Sequence, residues 1–210
     1  SKKFDDYIRV GYSHTELVDS IHDIKHNIVR ETLKLVGGIE EGIDVTYMAD
    51  VLPIKWGTGL GFSSSLTVGL LNALYAFKGE KKSVETIAQQ ACQIEIDIIG
   101  EPIGKQDQYA AAFGGFNYIR FDSDEKVCVE PLVSDKRSKD ALNQNLLLFY
   151  TGLNSDSSNV LTEQKKNIQK EEKTRNRLND MVKLADNLRI ELERNNTTVL
   201  GDFLHRGWLA

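Results

Sequence analysis

Cysteine occurs only twice in the 210 residues, at Cys92 and Cys128, too few for a disulfide scaffold. Both fall in predicted regular structure, where a free Cys behaves as a small buried apolar side chain, and a reducing cytoplasm is the expected setting. Proline is rarer than in loop-rich or disordered chains, with three residues, and no tract is compositionally biased. No apolar run is long and pure enough to span a membrane. The opening Ser-Lys-Lys-Phe-Asp-Asp is polar and charged, which is not a secretory signal. Basic residues are outnumbered, 26 against 31 acidic, for a formal charge of -5. That balance gives no reason to expect nucleic acid as a partner, and a membrane is not expected either. What remains is a chain with 40% hydrophobic residues, enough for one large domain or one domain and part of a second.

Apolar spacing divides it. Ile43, Val45, Tyr47, Ala49 and Val51 alternate with Asp44, Thr46, Met48 and Asp50, the period of a half-buried strand. Before it, Ile28 to Val36 is predicted helical and closed by Gly37-Gly38. Leu66, Leu70, Ala73, Leu74 and Phe77 predict a helix ending near Gly79, and Ser83 caps another that carries Ile87, Ala91, Ile94 and Ile98 on one stripe. Strands 116–121 and 127–131 flank the polar tip Asp122-Ser-Asp-Glu-Lys126 as a hairpin. Residues 144–150 are predicted to form a largely buried strand. A charged helical region follows to Arg194, with Leu178, Met181, Ala185, Leu188 and Leu192 as a packing face, and a last short helix covers 199–209. A domain boundary is expected near residue 140, separating domains 1–140 and 141–210.

One segment carries most of the chemistry. In Gly57-Thr-Gly-Leu-Gly-Phe-Ser-Ser-Ser65, three glycines at alternate positions free the backbone, and three hydroxyls follow where a helix begins. The first N–H groups of a helix have no internal acceptor and sit at the positive end of its dipole, so such a loop can cradle a phosphate. Loop punctuation with a Ser cap accounts for the same residues without any ligand. The P-loop lysine, the G-x-G-x-x-G dinucleotide pattern and the G-x-S-x-G hydrolase elbow are all absent.

Two carboxylates stand out downstream. Glu95 shares a helical row with Ala88, Cys92 and Ile99; on that spacing alone it sits at the edge of the stripe, within reach of water. Were it buried, it would need a cation, a proton or a metal. Asp107 leaves the tight loop Gly100-Glu-Pro-Ile-Gly-Lys-Gln106 just before Ala110-Ala-Ala-Phe-Gly-Gly115, and either orients or deprotonates a hydroxyl or caps a helix over 108–113. His22 and His26 are four apart, but the Glu of a zinc-protease helix is an Asp here and no third ligand is evident. Both are expected at the surface.

In order and spacing, Gly59-Leu-Gly-Phe-Ser-Ser-Ser65, the helix bearing Glu95, and Gly104-Lys-Gln-Asp-Gln108 resemble the GHMP small-molecule kinases. Thr67-Val-Gly-Leu-Leu-Asn-Ala-Leu74, Gly104-Lys-Gln-Asp-Gln-Tyr-Ala-Ala111 and Leu146-Leu-Leu-Phe-Tyr-Thr-Gly152 are similar to the heptose 7-phosphate kinase branch. The resemblance implies an α+β, two-domain GHMP kinase fold, with a ribosomal-protein-S5-like N-terminal domain and an incomplete ferredoxin-like C-terminal domain. It implies ATP and Mg2+ as cofactors and a small sugar phosphate as partner. Gly57, Gly59, Leu60, Gly61, Ser63, Ser64 and Ser65 would hold the triphosphate, Ser63 and Glu95 the metal, Asp107 the acceptor hydroxyl, and Gly104 and Lys105 the substrate. Such a division suits phosphoryl transfer, where catalysis is mostly positioning and charge neutralisation. The implied reaction moves the γ-phosphate to the anomeric hydroxyl of D-glycero-D-manno-heptose 7-phosphate.

Departures from the family pattern keep other readings open. Phe62 replaces the first Ser of the usual Gly-Leu-Gly-Ser-Ser, and the proline that precedes it is displaced to Pro53. The opening strand motif and the C-terminal glycine-rich motif have no counterpart. A piece of a longer kinase, a catalytically impaired nucleotide or sugar-phosphate binding protein, and a kinase for another small alcohol such as galactose all fit these residues.

Overall fold

The computed structural model describes residues 5–39, 42–48, 60–149, 161–163, 167–168 and 172–209. These fall into two compact units, 5–114 and 115–209. The boundary expected near residue 140 therefore lies inside the second unit, with the hairpin counted to the C-terminal side.

The first unit is built on three short strands, β1 (Ile8–Gly11), β2 (Thr15–Val18) and β3 (Asp44–Thr46), in the order β2-β1-β3. β1 pairs antiparallel with β2 and parallel with β3, with Val10 opposite both Glu16 and Val45. The parallel pair requires a crossover, supplied by helix α1 (Asn27–Val36). Gly37 and Gly38, with φ 63° and 68°, take the left-handed region that ends α1. Of the strand expected over 43–51, β3 is the described core. Tyr47 N–H extends the ladder to Gly11 O at 3.0 Å, and residues 49–51 lie outside the described residues.

Three further helices pack beside this sheet: α2 (Phe62–Phe77), α3 (Val84–Cys92) and α4 (Gln106–Phe113). α2 begins four residues before the first periodic apolar position and runs to the expected Phe77. Ser83 caps α3 as expected, its Oγ accepting from Thr86 N–H at 3.1 Å. Ile8, Val10, Val29, Leu33, Leu71, Ile87, Ala91 and Ile94 form the heart of the core. Burying side chains of this kind contributes about 1.5–3 kcal/mol each.

α3 continues into a π-helical turn over Gln93–Ile98, marked by Ile99 N–H bonding to Ile94 O at 2.9 Å. That turn overturns one expectation. A π-turn inserts one residue into the α repeat, so Ile98 leaves the buried stripe and is 45% exposed, while Ile99 packs on the core instead.

In the second unit, β4 (Asn117–Phe121) and β5 (Val127–Pro131) form the expected hairpin, and Glu125 turns its tip at φ 68°. Cys128 lies in β5 and is half-buried, whereas Cys92 is buried with its thiol pKa pushed up to about 11 by desolvation. Helix α5 (Lys136–Asn145) is capped by Asp135, whose carboxylate accepts from Ser138 N–H at 2.6 Å. The buried strand expected over 144–150 is not formed: Gln144 and Asn145 belong to α5. Leu146 to Phe149 are extended without a ladder partner among the described residues and are 52–86% exposed. The long helix α6 (Glu172–Glu193) carries Arg189, which pairs with Glu130 and lies over the Tyr118 ring at 4.6 Å. After a 3-10 turn, α7 (Leu200–Leu209) closes the chain. Leu192 is buried and Leu188 half-buried, but Met181 is 45% exposed, so the expected packing face of α6 is covered only in part. Among the described residues no helix is long and apolar enough to cross a membrane.

Candidate functional site

Gly61 sets the direction of α2. Its φ of 67° is left-handed, a conformation that favours glycine, and a Cβ there would press on the Asp107 carboxylate, 3.3 Å from Oδ2. Ser65 N–H closes the first turn on Gly61 O at 3.0 Å, and Gly61 at the cap position has no side chain to offer as an acceptor. Leu60 is 51% exposed, Ser65 exposed, Ser63 half-buried and Ser64 buried. Gly57 and Gly59, also placed at the triphosphate by resemblance, lie outside the described residues.

Glu95 is brought to these serines by the π-turn. It is only 1% exposed, which overturns the expectation of an edge position in water. Gln108 Nε2 donates to its Oε2 at 2.6 Å, and the Ser63 and Ser64 hydroxyls donate as well. Burial raises its pKa above the usual carboxylate value; the three hydrogen bonds oppose that rise and the charge of Asp107 adds to it. Its resolved influences among the described residues are burial, three neutral hydrogen-bond donors and the Asp107 charge. The loop that follows is anchored by Glu101 N–H to Glu95 O at 2.9 Å.

Asp107 is the second residue of α4 and exposed. The cap position belongs to Lys105, which corrects the reading of Asp107 as an N-cap. Its carboxylate stands over Gly61, at the positive end of α2. Lys105 is half-buried and its charge lowers the Cys92 thiol pKa against the burial that raises it; Gly104 is exposed with open space around it. Ser63, Glu95 and Asp107 are thus assembled from three elements.

The donor set fits a hard divalent cation. A buried carboxylate surrounded by neutral donors and one further carboxylate is costly unless a cation joins it. Hydroxyl and carboxylate oxygens suit Mg2+, which retains waters and leans on substrate phosphates. Gln108 Oε1 is buried with no hydrogen-bond partner among the described residues, an acceptor that a metal-bound water would satisfy. No group of three or more His, Cys, Asp or Glu among the described residues forms a metal site alone. A cation here would therefore depend on phosphate and water for most of its shell.

Sequence reasoning missed Gln108 as the partner of Glu95. Their separation of thirteen positions follows no local period, and only the shared position beside the serines could have signalled it. It also misplaced His26, which is 7% exposed and caps α1, with Nδ1 accepting from Val29 N–H at 3.4 Å. His22 is the middle residue of a separate 3-10 turn, Ile21–Asp23, and is exposed, so the two do not share a helix face.

Part of this chain is similar to known kinases. Residues 22–115 match the GHMP kinases N terminal domain, a span that ends where the first unit does. A D-glycero-alpha-D-manno-heptose 7-phosphate kinase of Campylobacter jejuni is 31% identical over 152 residues, covering 72% of this chain and 44% of that protein. A mevalonate kinase of Methanothermobacter thermautotrophicus is 24% identical over 189 residues, covering 87% of this chain and 58% of its own. The chain thus spans about half the length of the curated relatives it matches. Two crystal structures share the fold over 99% of the chain. A D-glycero-D-manno-heptose 1-phosphate kinase of Bacteroides thetaiotaomicron has TM-score 0.79 and 21% identity, with 64% of its own length covered. A sugar kinase described as putative from Campylobacter jejuni has TM-score 0.73 and 24% identity, with 62% covered. The α+β architecture is shared with these kinases, and residues 22–115 are similar to the N-terminal domain of the GHMP kinases.

Proposed function

We propose that the chain carries the nucleotide-binding half of an ATP-dependent sugar-phosphate kinase. The observation that carries this reading is the buried Glu95, held by neutral donors beside Ser63 at the start of α2, with the Asp107 carboxylate over Gly61. On this reading the first unit, to residue 114, supplies the ATP-binding domain and the second unit belongs to the other domain. The triphosphate lies against the N–H groups of α2 from Gly61 to Ser65, joined by Gly57, Gly59 and Leu60.

Ser63 and Glu95 hold Mg2+, which when bound neutralises charge on the transferring phosphoryl group. Asp107 accepts a hydrogen bond from the acceptor hydroxyl and takes its proton as the oxygen bonds to the γ-phosphorus. The bond between that phosphorus and the bridging oxygen breaks, and ADP leaves with the electron pair. Lys105 and Gly104 face the acceptor. The acceptor is the anomeric hydroxyl of D-glycero-D-manno-heptose 7-phosphate, supported by the name of the relative at 31% identity.

The test is ADP release from MgATP over a panel of sugar phosphates, galactose and mevalonate. Turnover with the heptose phosphate is expected, and Asp107→Asn should lower kcat by about 100-fold or more with nucleotide affinity within a few-fold of wild type. Turnover unchanged in that variant would remove Asp107 from the mechanism. Nucleotide binding without turnover on any acceptor would assign the chain to the binding class instead.

A further inference from the structure

A phenyl ring at the first residue of α2 had two possible places. It could lean across the helix start, crowding an anion, or fold back onto the protein. Phe62 is half-buried, and its ring centroid lies 6.3 Å from that of Tyr47 at 53°, an aromatic contact on the protein side. Tyr47 is itself fixed. Its ring stacks on Tyr12 at 6.0 Å and 7°, its hydroxyl lies 2.8 Å from His26 Nε2, and its N–H bonds to Gly11 O at 3.0 Å. His26 stands edge-on to both tyrosines, at 5.0 and 5.6 Å. Glu16 completes the frame, with Oε1 accepting from the Tyr12 hydroxyl at 3.0 Å and from His26 N–H at 3.1 Å. The residues following β1 and β3 and the cap of α1 thus converge on the ring that Phe62 touches.

α2 needs such an anchor. The preceding residue, Gly61, stands at the cap position, is left-handed and has no side chain with which to hold the helix start. We propose that Phe62 is a positioning residue: its contact with Tyr47 fixes the direction of the first N–H groups of α2 and of the Ser63 hydroxyl, and so sets the affinity for nucleotide phosphate. The inference rests on the reading that α2 receives the triphosphate.

Calorimetry with MgADP on the full chain tests it, with thermal melts and circular dichroism for each variant. Phe62→Ser should raise Kd about 3- to 10-fold, the range an aromatic pair supports, while Phe62→Tyr retains wild-type affinity. Tyr47→Leu should weaken binding similarly, and the double variant should be no weaker than the weaker single one, because both remove one contact. Tighter binding by Phe62→Ser would mean that the ring crowds the phosphates, and overturns the proposal. Unchanged Kd with lowered melting temperatures in both single variants would make the contact merely structural and also overturns it. Wild-type chain that binds no MgADP would overturn the nucleotide reading itself, a distinct outcome from loss of the Phe62 effect alone.

Discussion

His26 is a residue whose environment admits one protonation state. Nδ1 accepts the Val29 N–H that caps α1, so the ring proton sits on Nε2 and points to the Tyr47 hydroxyl. A second ring proton would face Val29 N–H. Burial, the largest influence, lowers the His26 pKa below 6.5, partly countered by the Glu16 charge. The unfolded chain, with the ordinary value, therefore binds more protons between the folded pKa and 6.5, and stability rises with pH across that window. It is fully present above about 6.5 and is lost as pH falls through the folded value. Melting temperature is expected to drop as pH is lowered from 7 to about 5.5. His26→Asn, which can still cap α1, should flatten that part of the profile; an identical slope in the variant would show that the stability loss arises elsewhere. At this scale the sequence was informative about residues with a motif and poor about the rest. Ser63, Glu95 and Asp107 have family spacing. His26, Gln108 and the Phe62 to Tyr47 contact depend on segments brought together by the fold, for which no local pattern exists.

Among the elements, helices with clear periodicity and caps were legible. α1 has its glycines, α3 its Ser83, and the β4–β5 hairpin its polar tip. β1 and β2 were not foreseen because four residues each give too little alternation. Residues 144–150 misled because an apolar run resembles a buried strand, whereas the Asp135 cap starts a helix that consumes the first two of them. The π-turn was invisible for a related reason. It violates the 3.6 period that any stripe assumes, and its effect is to place Glu95 and the start of the Asp107 loop in one register. Deleting the exposed Asp97 is expected to restore an α-helical register, keeping Ile99 on the stripe of Ile87, Ala91 and Ile94 at α-helical spacing. The loop to Asp107 would then begin about 1.5 Å closer to α3. Circular dichroism should show the helices retained, while kcat falls about 100-fold, the usual cost of an ångström-scale misplacement. Full turnover in the deletion variant would deny the π-turn any role in placing the carboxylates.

Over the whole molecule, burial is unevenly shared. The first unit's core cluster draws on residues from Ile8 to Ile94, many of them wholly buried. In the second unit, Leu132, Ser138 and Leu192 are the buried positions among the described residues, at 7%, 8% and 3% exposure. The same unit exposes Val133, Leu147, Leu148, Phe149 and Trp208 at 78–86%. Its hairpin and α6 are joined chiefly by the Arg189 pair with Glu130, the Arg189 contact with Tyr118, and the Tyr118 hydroxyl bond to Asp186. Exposed, solvent-screened ion pairs of this kind contribute far less than an apolar core. Cooperative unfolding requires contacts that are lost together, and among the described residues these are concentrated in the first unit. A fragment of residues 1–114 is therefore expected to unfold in one sharp thermal transition, raised by several degrees in excess MgADP. The complementary fragment 115–210 should keep helical circular dichroism, melt broadly and bind a hydrophobic dye. A sharp transition from the second fragment, or none from the first, would show that burial is a poor guide to where this protein's cooperativity resides. Absence of a nucleotide shift in a well-folded first fragment would instead place essential phosphate contacts beyond residue 114.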